Sequence, residues 1–383
     1  MPAGRWQLDR LAEDVALLSS RGLPREEYYA EVAARLRRVV PSAAACWHTL
    51  DPHTRLMTSD APHELIGSGI YTAKTVMAAG ALLVASEYLV DDVNTFAGLA
   101  RRRVPVATLS EATRGHPERS ARYRDLLAPS GIPYELRAAF VSRGRCWGAV
   151  HIARRDDQAD FAAADIAALA SITTLVAEGI RTSLRFDAGR RTAESSAPGL
   201  VVLGPRNEVE LITPPAHELM AAMRSSTQPD SDQTPPAPLL ALAGFTRIGA
   251  RDPDTSQRTV AVPTASGWIT LHASLPDGSA AGRVAIVLER AATPQSTAIR
   301  LEAHGVTARE REIAGLLARG LTNPEIAERL VLSPYTVQDH IKSLFEKTNV
   351  SSRQELVARV FLDDYLPQLA ARTPLTATGG FAS

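Results

Sequence analysis

Polar and charged side chains with the chemistry to contact DNA lie close together near residue 340. Glutamine can pair bidentately with adenine, aspartate can accept from the amino group of cytosine, and lysine reaches guanine or phosphate. Hydroxyl groups and a further lysine can hold phosphates, which positions a helix without reading bases. The candidates for base contacts are Tyr335, Gln338, Asp339 and Lys342, and those for phosphate contacts are Ser333, Thr336 and Lys347. The alternative interpretation is a solvated polar face on a small helical core.

The elements that would position these side chains are four short helices between residues 306 and 357. Each helix begins at a Ser or Thr suited to capping: Thr307-x-x-Glu310, Thr322-x-x-Glu325, Ser333 before Pro334, and Ser351-x-x-Gln354. Apolar residues recur at helical spacing, among them Ile313, Leu317, Ile326, Leu330, Val337, Ile341, Leu344, Phe345 and Leu356. Only residues 331–333 separate the second and third helices, although this turn contains no Gly. The spacing predicts a helix-turn-helix whose third helix enters the major groove.

The formal charge of this segment gives no help to the DNA-binding interpretation. Residues 303–372 contain nine Lys and Arg and nine Asp and Glu, so the formal charges cancel. A strong electrostatic attraction to phosphate is therefore absent. We expect modest affinity from one domain, and a homodimer to bind double-stranded DNA usefully.

The segment closely resembles the LuxR-type helix-turn-helix over about fifty residues without a gap. The residues that carry the resemblance are Thr307, Arg309, Glu310, Glu312, Ile313, Gly320, Asn323, Glu325, Ile326, Ala327, Leu330, Ser333, Thr336, Val337, His340, Ile341, Lys347, Val350 and Arg353. The resemblance implies an all-α four-helix domain in which the third helix reads an operator and the fourth contributes to a dimer contact. It also makes RNA polymerase a candidate partner. The family usually has Lys directly after Thr-Val, whereas this chain has Gln338, followed by Asp339. The operator sequences of the family are therefore not expected to apply to this chain.

The whole chain has the composition of a globular protein of two or three domains. It has 383 residues, 45% hydrophobic residues, and 42 Lys and Arg against 42 Asp and Glu. The longest apolar run, residues 76–85, is shorter than the roughly 20 residues that a membrane-spanning helix needs. The first residues carry acids within their apolar stretch, unlike a signal peptide. We therefore expect a cytoplasmic protein without membrane contact.

An N-terminal helix, residues 1–20, is followed by a predicted α+β domain at residues 21–190. Residues 136–141 and 146–153 read as two strands joined by a turn at residues 142–145, and a long helix follows at about 162–185. This hairpin and closing helix resemble the C-terminal half of GAF domains. The resemblance implies a sensor domain that takes a small-molecule effector or mediates dimerisation.

Candidate chemistry in the sensor-like domain centres on two cysteines. Cys46 and Cys146 lie in predicted strands, and a redox enzyme would need one of them as an exposed thiol of low pKa. Cys46 and His48 also suggest a metal site, but no second ligand follows at a recognisable spacing. An effector would occupy an apolar pocket under the sheet, with Trp47, His48 and Tyr71 as candidate lining residues. We expect neither a bound cofactor nor a metal.

Residues 197–291 are predicted to form a second α+β domain. Two strands, helical material and three further strands resemble a PAS-type fold in a shortened form, without a cofactor signature. Residues 225–238 are predicted to be a flexible insert because they are rich in Ser, Thr, Gln, Asp and Pro. A linker at 292–302, the helix-turn-helix domain at 303–372 and a disordered tail at 373–383 complete the chain.

The sequence thus predicts a multidomain transcriptional regulator that is not an enzyme. Its α+β GAF-like and α+β PAS-like domains would control an all-α C-terminal domain that binds an operator. The alternatives are a redox or small-molecule enzyme built on the GAF-like domain, and a helix-turn-helix that binds a partner protein.

Overall fold

The structure is a computed structural model, and its atoms group into two compact units. The first lies within residues 1–289 and the second begins at residue 290. The described residues are 5–61, 69–70, 75–189, 197–224, 235–249, 258–264, 267–276, 282–290, 299, 301–318, 321–353 and 355–356.

The first sheet of the larger unit has five antiparallel strands in the order β2-β1-β5-β4-β3. The strands are β1 (Ala44–Leu50), β2 (Met57–Ala61), β3 (Val106–Thr108), β4 (Tyr134–Ser142) and β5 (Arg145–Arg154). The predicted hairpin of β4 and β5 is confirmed. Its two-residue turn places Arg143 and Gly144 at φ of 51° and 73°, as a tight hairpin requires.

Helices α2 (Arg25–Val39) and α6 (Ala163–Gly189) cover one face of this sheet, and α1 (Arg5–Ser20) packs against both of them. Trp47 lies under them, with its ring stacked 5.7 Å from Tyr29 and 5.5 Å from Phe140 between centroids. The Oγ of Ser19 contacts the hydroxyl of Tyr28 at 2.9 Å and donates to the carbonyl of Leu175 at 2.8 Å. Buried aromatic and hydroxyl groups therefore tie the three helices to one another.

Helix α6 contains a 23-residue stretch, residues 163–185, that is long and apolar enough to cross a membrane by length and composition alone. The longest uninterrupted apolar run did not reveal this stretch, because polar residues are spaced along it. A core helix meets the same criteria, and the contacts of α6 are those of a core helix. Its stripe of Leu169, Ile172, Val176, Ile180 and Leu184 is buried, and its solvent-facing positions include Ala167, Ser171 and Thr174.

The opposite face of the first sheet is covered by helices α3 (Thr75–Tyr88), α4 (Phe96–Leu99) and α5 (Leu109–Thr113). Between residues 117 and 127 the chain forms a short 3-10 helix, Pro117–Arg119, and a π-helical turn, Tyr123–Leu127. Ser120 separates the two in an extended conformation, because its hydroxyl bonds to the carboxylate of Asp92 at 3.0 Å.

A second sheet repeats the strand order of the first. Its strands are β6 (Gly199–Leu203), β7 (Val209–Ile212), β8 (Arg258–Thr264), β9 (Gly267–Ser274) and β10 (Val284–Glu289), in the order β7-β6-β10-β9-β8. All pairs are antiparallel. Helices α7 (Pro214–Met223) and α8 (Ala237–Gly249) pack on it.

The predicted flexible insert at residues 225–238 is too long at its C-terminal end. Ala237 and Pro238 are the first residues of α8, and both are buried at the start of an apolar helix. Their polar neighbours in the sequence obscured this helix start. Residues 225–234 lie outside the described residues.

Helix α3 is apolar on all sides because it is buried on two sides within the larger unit. Ala79 and Leu83 pack into the core of the first sheet, and Val84 packs with α8 into the core of the second. Tyr88 contacts both cores. This arrangement explains why the run beginning near Leu82 has no clear periodicity in the sequence.

The C-terminal unit contains helices α9 (Ala308–Ala318), α10 (Asn323–Leu330) and α11 (Pro334–Thr348) around a core of its own. The predicted caps at Thr307 and Ser333 are confirmed by bonds to the N–H groups three residues on, at 3.2 and 3.0 Å. The fourth helix begins differently from the prediction. Its cap is Ser352, whose Oγ accepts from the N–H of Glu355 at 3.1 Å. Gln354 and residues 357–372 lie outside the described residues.

Candidate nucleic-acid interface

Helix α11 has one buried face and one exposed polar face. Val337 and Leu344 are fully buried, whereas Tyr335 is 75% exposed. The exposed face carries the four predicted base contacts, Tyr335, Gln338, Asp339 and Lys342. At 3.6 residues per turn, these four positions fall within an arc of about 100° on the helix opposite the buried residues. The structure therefore brings together every side chain that the sequence predicted to contact bases.

The N-terminus of α11 presents two hydroxyl groups at the predicted phosphate positions. The Oγ of Ser333 accepts from the N–H of Thr336 at 3.0 Å, and the two hydroxyl oxygens are 2.8 Å apart. Ser333 is exposed and Thr336 is half-buried. The partial positive charge of a helix N-terminus also favours a phosphate here.

Lys347 has a partner that the sequence did not reveal. Its Nζ lies 2.6 and 2.8 Å from the two carboxylate oxygens of Glu310 on α9. Glu310 is only 3% exposed, and it also accepts from the N–H of Thr307 and the hydroxyl of Ser343 at 2.7 and 2.8 Å. Lys347 therefore joins α11 to α9. A contact of Lys347 with phosphate stays a prediction, and it would have to coexist with this ion pair.

The ionisation of Glu310 reflects these contacts. Burial alone would raise the pKa of this carboxyl, but the Lys347 ammonium and the donors of Thr307 and Ser343 outweigh burial. The pKa falls from its ordinary value of 4.5 to about 2. Glu310 is therefore ionised at every pH at which DNA binding would be measured.

Other cations of the C-terminal unit are held by internal partners. Arg309 bonds to Glu312 and to the carbonyl of Leu330, each at 2.7 Å. Arg311 pairs with Glu302 at 3.1 Å, and Arg353 donates to the carbonyl of Leu321. Among the described residues of this unit, Lys342 and Arg329 are exposed cations with no ion pair. Arg329, near the end of α10, was not among the predicted contacts, because only its lack of a partner distinguishes it.

The turn before α11 takes its shape from Val331. This residue has φ 54° and ψ 50°, the left-handed conformation that usually falls to Gly, and its N–H bonds to the carbonyls of Ala327 and Glu328. The Val331 side chain is 91% exposed. The turn therefore forms without the expected Gly, at the cost of an unfavourable conformation for a β-branched residue.

The candidate residues of the first sheet lie on different faces. Cys46 and His48 face the side covered by α3 and α4, whereas Trp47 faces α2 and α6. Tyr71 lies outside the described residues. Cys46 and Cys146 are buried, and burial raises the pKa of the Cys146 thiol to about 12. Cys146 is therefore not the low-pKa thiol that the redox alternative requires.

Comparison with known proteins identifies the C-terminal unit. The family described as bacterial regulatory proteins of the luxR family matches residues 304–360. The monoamine regulon transcriptional regulator of Klebsiella aerogenes is 44% identical over 57 residues, which cover 15% of this chain and 25% of that protein. The transcriptional regulatory protein UhpA of Escherichia coli is 48% identical over 56 residues, covering 15% and 29%. The match thus spans between 6% and 29% of the length of these and similar curated relatives.

Among solved structures, the crystal structure of the phage VqmA-DPO complex matches over 45% of this chain and 85% of that chain. The sequence identity is 19% and the TM-score is 0.23, which is too low to carry an argument. The family match and the exposed face of α11 agree on the smaller unit: residues 304–360 form a LuxR-type helix-turn-helix DNA-binding domain.

Proposed function

We propose that the chain is a transcriptional regulator that reads an operator in double-stranded DNA with Gln338, Asp339 and Lys342 of α11. The main observation in support is that these side chains share one exposed face of α11, while the opposite face packs into the hydrophobic core. Gln338 would contact adenine, Asp339 the amino group of cytosine, and Lys342 guanine or phosphate. Tyr335 would lie at base edges beside them, and Ser333, Thr336 and Arg329 would contact the phosphate backbone of the DNA.

The larger unit would act as the sensor that controls DNA binding. Its two sheets have the same strand order and each carries helices, which supports the proposal that a GAF-like and a PAS-like domain of related architecture precede the DNA-binding domain. An effector would change the association of two chains in the cytoplasm, so that two DNA-binding domains engage half-sites about one helical turn apart. A coupling of about 1–3 kcal/mol between the sites is enough for a useful switch. RNA polymerase is the partner through which such a regulator would act.

The test is selective binding of purified full-length protein to genome fragments. We expect Lys342→Ala and Gln338→Ala each to weaken binding to selected fragments by about 1–3 kcal/mol, the usual worth of a bidentate base contact. The matched control is Arg102→Ala, which removes an exposed cation from the larger unit and should leave binding unchanged. Equal binding by wild type and both α11 variants would overturn the assignment of this face.

A second candidate function is recognition of a partner protein by the same face. It is favoured by the cancelling charges of residues 303–372 and by the exposure of Val331 and Tyr335, at 91% and 75%. Apolar and aromatic exposure of this kind suits a protein interface. Full-length protein that shows no selective binding to any fragment should be compared with residues 299–383, since removal of an inhibitory sensor restores DNA binding only in a regulator.

A further inference from the structure

Three metal-ligating side chains from two strands converge inside the first sheet. Cys46 and His48 lie on β1, and His151 lies directly opposite Cys46 on β5. One ligand atom from each residue lies within 4.8 Å of the others. The Nε2 of His48 is 3.3 Å from the Nδ1 of His151. All three residues are buried, with 3%, 1% and 8% exposure in chain order.

We propose that Cys46, His48 and His151 form a binding site for a divalent transition metal ion of the zinc type. Thiolate sulfur and imidazole nitrogen are the ligands that Zn²⁺ and Co²⁺ prefer, in tetrahedral geometry with a fourth position left for water or a small ligand. Metal–ligand distances of about 2.0–2.3 Å place tetrahedral ligand atoms roughly 3.3–3.7 Å apart. The His48–His151 separation of 3.3 Å already has this value, and the separations from Cys46 are at most 4.8 Å.

The buried charges near the site are of both signs, and as a group they carry a net negative charge. Five ionic side chains next to it, Glu87, Asp92, Arg122, Glu135 and Arg137, have at most 2% side-chain exposure. They carry three negative and two positive formal charges, which leaves this described group with one negative charge in excess. A divalent ion bound to one thiolate adds one positive charge and makes the buried group neutral. Since an uncompensated buried charge is costly, the metal would stabilise the fold.

Arg137 is the nearest cation, and its charge is offset by its neighbours. It pairs with His151 in the β4–β5 register, and its guanidinium lies 2.5 Å from Glu87 and 3.9 Å from Glu135. The guanidinium also lies over the ring of Phe96, 3.9 Å from the centroid. These contacts hold Arg137 against α3 and α4, where Glu87 offsets most of its positive charge; burial, together with the remaining charge, still lowers the pKa of both imidazoles.

The alternative is an inert pair of buried histidines, and the hydrogen bonds argue against it. A satisfied core histidine uses both ring nitrogens, but the Nδ1 of His48 has no hydrogen-bond partner in the part of the chain that the structure describes. Coordination of Nε2 would make the imidazole a ligand, with Nδ1 carrying the proton. Metal binding by Cys46, His48 and His151 does not depend on the function proposed for α11.

The test is titration of chelator-treated full-length protein with Co²⁺, followed by optical absorption. We expect one ion per chain with a thiolate-to-cobalt charge-transfer band and the intense visible bands of tetrahedral cobalt. Cys46→Ser should abolish the charge-transfer band. His48→Gln and His151→Gln should each weaken binding by at least about tenfold, which is the lower end even for the loss of an outer-shell partner of a metal ligand. The matched control is Cys146→Ser, which removes a buried thiol outside the cluster and should leave the spectrum unchanged.

A second measurement distinguishes a variant that has lost metal binding from one that does not fold. Zn²⁺ should raise the Tm of the wild type and of Cys146→Ser, because a ligand that binds only the folded state stabilises it. At the same Zn²⁺ concentration it should raise the Tm of His48→Gln by less, and far-ultraviolet circular dichroism reports whether this variant folds. Absence of cobalt binding, a spectrum without a thiolate band, or equal binding by wild type and Cys46→Ser would each overturn the proposal.

Discussion

Glu310 connects the first and third helices of the DNA-binding domain through one carboxylate. It accepts hydrogen bonds from Lys347, Thr307 and Ser343 while only 3% exposed. Substitution by Gln removes the charge and leaves the Lys347 ammonium unpaired. We expect Glu310→Gln to reduce the free energy of unfolding by about 1–3 kcal/mol, as for other lost bonds to charged groups. Urea denaturation of residues 299–383, whose core is their own, measures this.

The pH dependence of this unit follows from the lowered pKa of Glu310. A carboxyl whose pKa is lower in the folded state stabilises the fold above its unfolded pKa and loses that contribution as the pH falls. The contribution should be complete above pH 4.5 and lost as the pH approaches 2. Glu312→Gln is the control, since its pair with Arg309 is exposed and should be worth at most about 1 kcal/mol. Identical acid unfolding of wild type and Glu310→Gln would contradict the assignment.

Val331 carries backbone strain without a packing contact to balance it. A left-handed conformation costs roughly 1–2 kcal/mol for an ordinary residue, and Gly avoids this cost but loses about 0.5–1 kcal/mol through the entropy of the unfolded chain. We therefore expect Val331→Gly to raise the free energy of unfolding by up to about 1 kcal/mol. Val331→Asn should also stabilise, since Asn349 already holds the equivalent left-handed position after α11. A decrease in stability for both variants would show that Val331 is not strained.

Some contacts of the candidate site could be predicted from the spacing of residues in the sequence, and others could not. Helical spacing predicted that Gln338, Asp339 and Lys342 share a face, and this is confirmed. Spacing could not predict that Lys347 pairs with Glu310, which lies 37 residues away. The proximity of His151 to Cys46 and His48 could not be predicted from spacing either, because only the register of β1 and β5 brings these residues together.

At the scale of elements, the contact between α2 and α6 depends on the absence of a side chain at Gly179. A Cβ at this position would lie 2.0 Å from the hydroxyl of Tyr28, which is 1% exposed and bonded to Ser19. Tyr28 cannot move without breaking this cluster. We expect Gly179→Ala to reduce the free energy of unfolding of the full-length protein by about 1–3 kcal/mol, the usual cost of overpacking.

Gly80 supplies the matched control for this prediction. It also lies in a helix, α3, but a Cβ built on it meets nothing within 4 Å. Gly80→Ala should therefore stabilise by about 0.5–1 kcal/mol through helix propensity. Thermal unfolding should then shift in opposite directions for the two variants. A rise in Tm for both would mean that the α2–α6 contact adapts to the added methyl group.

Most elements follow from local patterns, and the exceptions have tertiary causes. The strand and turn signals of residues 136–153 predicted β4 and β5 closely, because this hairpin is local in the sequence. Helix α3 has no clear helical periodicity because two cores bury it. The start of α8 was assigned to a flexible insert because its polar neighbours dominate the composition there, while its buried contacts come from strands distant in the sequence.

At the scale of the whole molecule, charge balance makes a prediction about DNA affinity. The chain has 42 basic and 42 acidic residues, and in its C-terminal unit most described arginines are engaged internally. Few cations remain to displace counterions, so the affinity of a dimer for DNA should fall only shallowly with salt. The expected slope of log K against log salt is about −0.9 for each phosphate contact.

Removal of Lys342 from both chains should reduce the magnitude of this slope by about 2 if Lys342 contacts phosphate. If it contacts guanine instead, Lys342→Ala should reduce the affinity for selected fragments and leave binding to unrelated DNA nearly unchanged. Fluorescence anisotropy with selected and scrambled duplexes at several salt concentrations separates the two contacts, and a slope near zero for the wild type would indicate that the exposed face of α11 binds a protein.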